Sequence, residues 1–307
     1  MNFFKYTSIP TALIVLKNKS LRWSSPKLFN DIEECQFTPF TKDEITKSHK
    51  EYISILEWYS KGLKLTYDEK KFSQMTNTLI QLLHAFKMKG GTKDDFLKII
   101  LAQTENFEED YRNFINTAVI KSARILCVTK DCTNKLMWAH YGDENKGCVI
   151  EFEKLFDKKP KSLKQGMIRY HENLKPKSKP LDYLLYGSTK EIHDKMIEDI
   201  FFSKRTTWDY EKEYRLMFME DFGNMSVKVN LQTNEKKYKV SNEPQKDYTD
   251  VSFDQNSVKS ITFGARTKDE DIEKIYNIIN EKKYNCKFFK IKLKNGKLIP
   301  EELNIRT

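Results

Sequence analysis

The sequence predicts an α+β fold, and three observations point to it. Short apolar runs bounded by turn residues, such as Ala123 to Thr129 (ARILCVT) and Gly147 to Phe152 (GCVIEF), read as buried strands. The stretch from Thr41 to Ser122 instead carries apolar residues at mostly helical spacing. The chain of 307 residues, 39% apolar and 13% aromatic, is long enough for a sizeable core and too apolar for disorder. We read it as a single catalytic domain over 1–307, with 41–122 a helical insertion or subdomain.

The elements follow in order. Asn2 to Thr7 reads as an aromatic strand, and Ser8 caps a helix with Pro10 in its first turn and Ala12, Leu13 and Leu16 on one face. Leu21 to Ser25 reads as a second strand that Pro26 ends, and Asn30-Asp31 marks a turn. Thr41 and Glu44 form a capping box that opens the helical stretch; Ile53, Leu56, Leu83, Phe96, Ile99 and Ile100 recur along it, and Gly90-Gly91 breaks it. Lys135 to Tyr141 reads as a short helix or turn between the two buried strands. Lys158 to Lys164 reads as a solvated loop, Met167 to His171 as a strand and Lys175 to Pro180 as a loop. Thr189 to Lys204 is an amphipathic helix with Ile192, Met196 and Ile200 on one face. Glu213 to Met219 is a strand, Ser226 to Val240 a polar hairpin and Lys259 to Phe263 a strand. Thr267 and Glu270 form a second capping box, and Asn285 to Leu293 is the last strand.

Composition bounds the function. Lys and Arg number 54 against 44 Asp and Glu, a net charge of +10 that favours polyanions, although a lysine-rich solvated surface gives the same balance. Five cysteines with no C-x-x-C pair signal neither a disulfide framework nor a zinc knuckle. Cys127, Cys132, His140 and Cys148 can be drawn as a metal set, but their spacing fits no usual zinc pattern, so no metal is expected. The N-terminus lacks the features of a signal peptide, and no run reaches the roughly 20 apolar residues that span a bilayer. A cytoplasmic protein without membrane contact is expected.

No common catalytic signature is present, but three segments place polar groups beside aromatics. The first joins Phe4 to Ser8 with Trp23 to Pro26 and Phe29 to Asp31, whose hydroxyls and amides can hold a ribose; the plain alternative is strand ends with turn formers. The second is Met137 to Gly142, where His140 can act as a base or phosphate ligand, or be a satisfied structural histidine. The third is Trp208 to Arg215. On a strand, Glu211, Glu213 and Arg215 would share one face, either as a site or as a charged outer surface.

These segments resemble the bacterial domain-of-unknown-function family 2971. The resemblance rests on FKYTS, LRWSSPKLFNDIEE, LCVTKDCTNKLMWAHYGDENKGCVIEF, WDYEKEYRLMF and ITFGART, and spans most of the chain outside Thr41 to Ser122 and the polar region after Phe222. The layout is similar to an ADP-ribosyltransferase fold, which implies split antiparallel sheets and NAD as substrate. It implies Glu213 as the catalytic residue, with Glu211 completing a Glu-x-Glu pair. Lys5, Tyr6 and Thr7, then Trp23, Ser24 and Ser25, would contact NAD from the first two strands, with Asn30 beside them. Tyr6 or Tyr141 would shape the nicotinamide pocket, and Arg215, His140 or Lys5 would hold the pyrophosphate. Lys5 stands where many members carry His or Arg. Relatives of this fold class imply a toxin in phage defence, a nucleic-acid acceptor with RNA favoured over DNA, and an antitoxin protein as a possible partner. Two other readings stay open: a non-catalytic nucleic-acid or protein-binding module, and a metal-dependent nuclease using Glu211, Glu213, Asp31 and His140.

Overall fold

A computed structural model describes residues 2–35, 40–63, 66–96, 98, 113, 115–155, 162–173, 176–221, 223–230, 232, 236–242 and 245–303. Its organising strand is β3 (Ala123–Thr129), buried almost throughout because it packs on both faces. Leu126 and Val128 point into one apolar cluster, Ala123 and Ile125 into another, as the two-residue period of a strand requires. One edge of β3 pairs along its whole length with β8 (Glu213–Met219), from Ala123 opposite Met219 to Thr129 opposite Glu213.

The other edge of β3 is shared by two strands that diverge. β1 (Asn2–Thr7) meets it at Phe4 opposite Thr129, and β2 (Ser20–Ser24) meets it at Ser24 opposite Ile125. Each has a full partner elsewhere: β1 lies along β4 (Cys148–Glu153), and β2 along β11 (Tyr248–Ser252). The sheet therefore splits along β3. A backbone carbonyl in such a gap needs another partner, and the Lys5 ammonium supplies it to Cys127 O at 2.9 Å.

Beyond β4 the sheet runs through β12 (Val258–Phe263), β13 (Lys287–Lys294) and β14 (Lys297–Glu302), while β5 (Lys164–Met167) adds to β8, making ten strands. β12 and β13 are parallel and joined through α7 (Asp269–Glu281), so the sheet is mixed rather than wholly antiparallel. β6 (Arg169–His171) pairs in parallel with β7 (Ser203–Arg205), and β9 (Met225–Val229) forms the expected hairpin with β10 (Lys236–Val240).

α1 (Ile9–Asn18) and α7 pack together over the face that carries Phe3, Trp23 and Leu126. α6 (Lys190–Phe201) covers the opposite face with Met196, Ile197 and Ile200. α2 (Lys42–Ser60), α3 (Gln74–Met88) and α5 (Pro180–Tyr186) enclose a cluster of their own around Ile53, Leu56, Leu83 and Leu185. Thr76 fastens that layer by donating its hydroxyl to Leu185 O at 2.9 Å. Among the described residues no helix is long and apolar enough to cross a membrane.

Several expectations change. The Thr41–Glu44 capping box forms, but Thr267 donates its hydroxyl to Gly147 O at 2.8 Å, so α7 starts after Lys268 without a side-chain cap. Ser8 occupies the cap position of α1 and bonds Thr11 rather than a backbone N–H. Ile168 divides the expected strand into β5 and β6, and Lys164 begins β5. β13 is not the last strand: Asn295 and Gly296, at φ 50° and 74°, turn the chain into β14, as an Asn-Gly pair does in a two-residue hairpin. Glu211 is not on the β8 strand but ends a 3-10 helix over Thr206–Glu211. Ile99, Ile100, Phe222 and residues 158–161 lie outside the described residues.

Candidate active site

The split beside β3 opens a cavity of ≈ 440 Å³, within the usual range for small-molecule sites. Phe4, Lys5 and Tyr6 of β1 form one wall, and Arg22 and Ser24 of β2 another. The floor is the unpaired stretch of β3 around Cys127 and Val128. His140 and Tyr141 enter from the end of α4 (Lys135–His140), and Glu211 and Glu213 from the start of β8. Two further residues, Glu34 and Lys204, close the inner end.

Local backbone geometry explains why the two glutamates meet. Lys212 takes a left-handed conformation, φ 43°, between the 3-10 helix and β8. That reversal turns Glu211 and Glu213 toward the same ammonium rather than along one strand face. Lys204 Nζ lies 2.8 Å from Glu211 Oε2, 3.2 Å from Glu34 Oε2 and 3.6 Å from Glu213 Oε2. Arg215 holds Glu213 Oε1 at 2.7 Å, pairs with Glu34, and donates to Phe201 O at 2.6 Å. All five side chains are buried, so three carboxylates share two cations away from water. Such clusters cost desolvation and are weak sources of stability, so they mark candidate functional sites.

The cluster drives the two glutamates apart. Burial alone raises the Glu213 carboxyl, but the charge and hydrogen bond of Arg215, helped by Lys204, overcome it and hold its pKa down at about 2. Glu211 lacks the guanidinium; burial dominates and its pKa is raised, against the pull of Lys204 and Tyr141. Burial alone lowers the Lys204 ammonium, and the three surrounding glutamates reverse that and raise it. Tyr141 donates its hydroxyl to Glu211 Oε1 at 2.6 Å and accepts from Asn30 Nδ2 at 3.1 Å, linking the exposed loop to the buried acid.

The structure brings Lys5, Tyr6, Ser24, Asn30, His140, Tyr141, Glu211 and Glu213 to one cavity. Four other predicted contacts are not among its lining residues. Trp23 is fully buried in the core, 5.3 Å from the Phe218 ring. Ser25 is buried and accepts from Lys27 N, capping the turn over Pro26–Leu28. Thr7 is buried, its hydroxyl bonding Ser8 O. Arg215 lies behind Glu213, its donors committed to carboxylates and a carbonyl, so it holds the catalytic candidate rather than a pyrophosphate. Tyr6 has its hydroxyl on Asp131 O and its ring edge-on to Trp138, so it is a wall and not a free stacking face.

Sequence reasoning missed Glu34 and Lys204. A second cavity, ≈ 580 Å³, shares both and is lined also by Asp31, Glu33, Asp199 and Arg205. Of its charges, Arg205 pairs with Glu33 and Asp199 with Arg169. Asp31 lines this second cavity and not the first, so the four proposed nuclease ligands are not assembled. Cys148 sits in the core with Phe3 and Ile150 while Cys127 lines the first cavity, and no metal-binding group of three or more His, Cys, Asp or Glu occurs among the described residues.

No curated protein and no solved structure matches the chain. Residues 137–216 match the model of a family described as a protein of unknown function (DUF2971), which supports the resemblance to that family over the stretch carrying His140, Tyr141, Lys204, Glu211 and Glu213.

Proposed function

We propose that the chain is an ADP-ribosyltransferase that takes NAD as substrate and modifies a nucleic acid, RNA in preference to DNA. One observation carries the reading: an enclosed Glu213, held ionised by Arg215, stands at a cavity whose rim offers the hydroxyls and amide of Ser24, Tyr141 and Asn30. That donor set suits two riboses, and the ammonium of Lys5, the exposed guanidinium of Arg22 and a ring N–H of His140 suit the pyrophosphate between them.

In the reaction the bond between nicotinamide N1 and ribose C1′ breaks, and its electron pair leaves with nicotinamide, which departs neutral. Positive charge builds on the ribose ring, as in glycoside hydrolysis. Glu213 stabilises that charge through Oε2, whose closest ion-pair partner is Lys204 at 3.6 Å. The acceptor forms the new bond to C1′ and releases a proton, which Glu211, with its raised pKa, takes up. A role as a bacterial toxin in phage defence, restrained by an antitoxin protein, rests on the family resemblance alone.

The test is incubation with adenylate-labelled NAD and bacterial lysate, followed by separation of RNA, DNA and protein. Label in RNA and release of nicotinamide are expected. Glu213→Gln should lower both rates by at least about 100-fold while the circular dichroism spectrum persists; the melting temperature falls, because the buried Arg215 loses a carboxylate partner. Undiminished NAD consumption in that variant removes Glu213 from its role, and no consumption by the unaltered chain removes the reading.

A further inference from the structure

A row of rings leads away from the cavity, which His140 and Tyr141 line. Trp208 and Tyr210 lie 6.1 Å apart with planes tilted by 34°. Tyr210 and His140 are 6.1 Å apart at 39°, and His140 and Tyr141 6.5 Å apart at 66°. Both ends reach the buried cluster: Tyr141 bonds Glu211, and Lys204 Nζ sits 4.6 Å from the Trp208 centroid. Two distant chain segments build the row, the 3-10 helix over Thr206–Glu211 and α4. Asn134, the cap of α4, joins them by donating Nδ2 to Tyr210 O at 2.8 Å.

Tyr210 and Tyr141 pack on the edge of the cluster around Met137 and Trp138, but none of these rings is fully buried. His140 is exposed, and Trp208 and Tyr210 are half-buried. Leu136, one helical turn before His140 on the same face, is 48% exposed. Lys135 and Lys212, at the ends of the same two segments, are exposed ammonium groups, the latter 3.9 Å from Asp131. Aromatic faces beside lysines, in a chain of net charge +10, match a single-stranded nucleic acid: bases stack on rings while ammonium groups meet phosphates. A duplex keeps its base faces stacked inside and cannot use such a row.

We propose that Trp208, Tyr210 and His140 are a stacking platform for single-stranded nucleic acid, which delivers one nucleotide to the adjoining cavity. Its place as the acceptor's platform rests on the transferase reading, whereas binding itself requires no NAD.

The experiment uses the full chain without NAD and measures fluorescence anisotropy of a labelled oligouridylate of about 12 nucleotides, with oligothymidylate and a duplex of equal length as parallel arms. Both single strands should bind more tightly than the duplex. Tyr210→Ala and Trp208→Ala should each raise the Kd about tenfold, and Tyr210→Phe should restore it. Tyr210→Leu, which keeps bulk without an aromatic face, should match the alanine variant and separates stacking from folding. Equal affinity for duplex and single strand, unchanged binding in Tyr210→Ala, or full binding in Tyr210→Leu overturns the proposal. Stacking that persists in a chain that never consumes NAD sinks the transferase reading and leaves the platform standing.

Discussion

Glu211 and Glu213 are separated by one residue and held at opposite protonation tendencies, and the sign of each has a consequence for stability. Glu213 is depressed to about 2 in the fold, against about 4.3 for an unfolded glutamate. It therefore stabilises the fold above the unfolded value, and that contribution is lost as pH falls toward 2. Glu211 is raised, so its ionisation disfavours the fold, and protonation on acidification relieves that cost. As pH falls from neutral, unfolding free energy should first rise as Glu211 takes its proton, then fall as Glu213 does. Urea melts across this range check it, and Glu211→Gln should erase the rising limb while keeping the falling one. A variant that retains both limbs would detach Glu211 from the effect. The two acids, Tyr141 and Lys5 were legible because polar groups beside aromatics stand out in a sequence. Lys204 and Glu34 were not: a lysine in FSKRTT and a glutamate in DIEE look like solvated surface, and only the fold shows that they face each other at 3.2 Å.

At the scale of elements, the loop after α4 fixes the site to the sheet. Asp143, Glu144 and Asn145 all take left-handed φ values, 51°, 52° and 69°, which the short polar side chains of Asp143 and Asn145 tolerate better than most. The reversal lets Gly147 N donate to Gly142 O at 2.9 Å, Gly264 N to Gly147 O at 3.0 Å and Arg266 N to Asn145 O at 2.9 Å. The loop is thereby tied to the end of β12, and His140 and Tyr141 are held against the cavity. A Cβ on Gly147 would stand 2.2 Å from Thr7 O, so Gly147→Ala must part β1 from β4 at that point. We expect a loss of about 2 kcal/mol or more in denaturant unfolding; a loss below about 0.5 kcal/mol would mean the contact yields freely. The glycine-containing segments HYGDENKG, within the stretch that matches the family model, and ITFGART thus serve packing. Capping signals show the limit of local reading. Thr41 and Glu44 follow their pattern because nothing competes, whereas Thr267 carries the same pattern and yields to the Gly147 carbonyl. A tertiary partner of that kind cannot be read from spacing.

For the whole molecule, fold class was legible and strand order was not. A short apolar run bounded by turn residues marks β3 as a strand, yet its neighbours β1 and β2 come from the N-terminus and β8 from Glu213–Met219, far along the chain, and pairing over such separations leaves little local trace. The split that makes the cavity arises from those pairings. Net charge acts at this scale too. A surplus of +10 does not shape the fold, but it draws a polyanion toward the protein. If the acceptor is a single-stranded nucleic acid, each phosphate contact releases counterions, and affinity falls with the logarithm of salt at a slope of about −0.7 per contact. The chemical step proposed at Glu213 is enclosed and should feel little of this, because salt screens exposed charges over about 10 Å at 0.1 M and buried pairs much less. Raising salt from about 50 to 200 mM should therefore slow transfer onto RNA by on the order of tenfold while NAD cleavage by water stays nearly constant. Following nicotinamide release with and without RNA across a salt series separates the two. Parallel decline of both rates would place the salt effect on the chemistry, and no decline in either would leave the lysine surplus as solvated surface with no part in encounter.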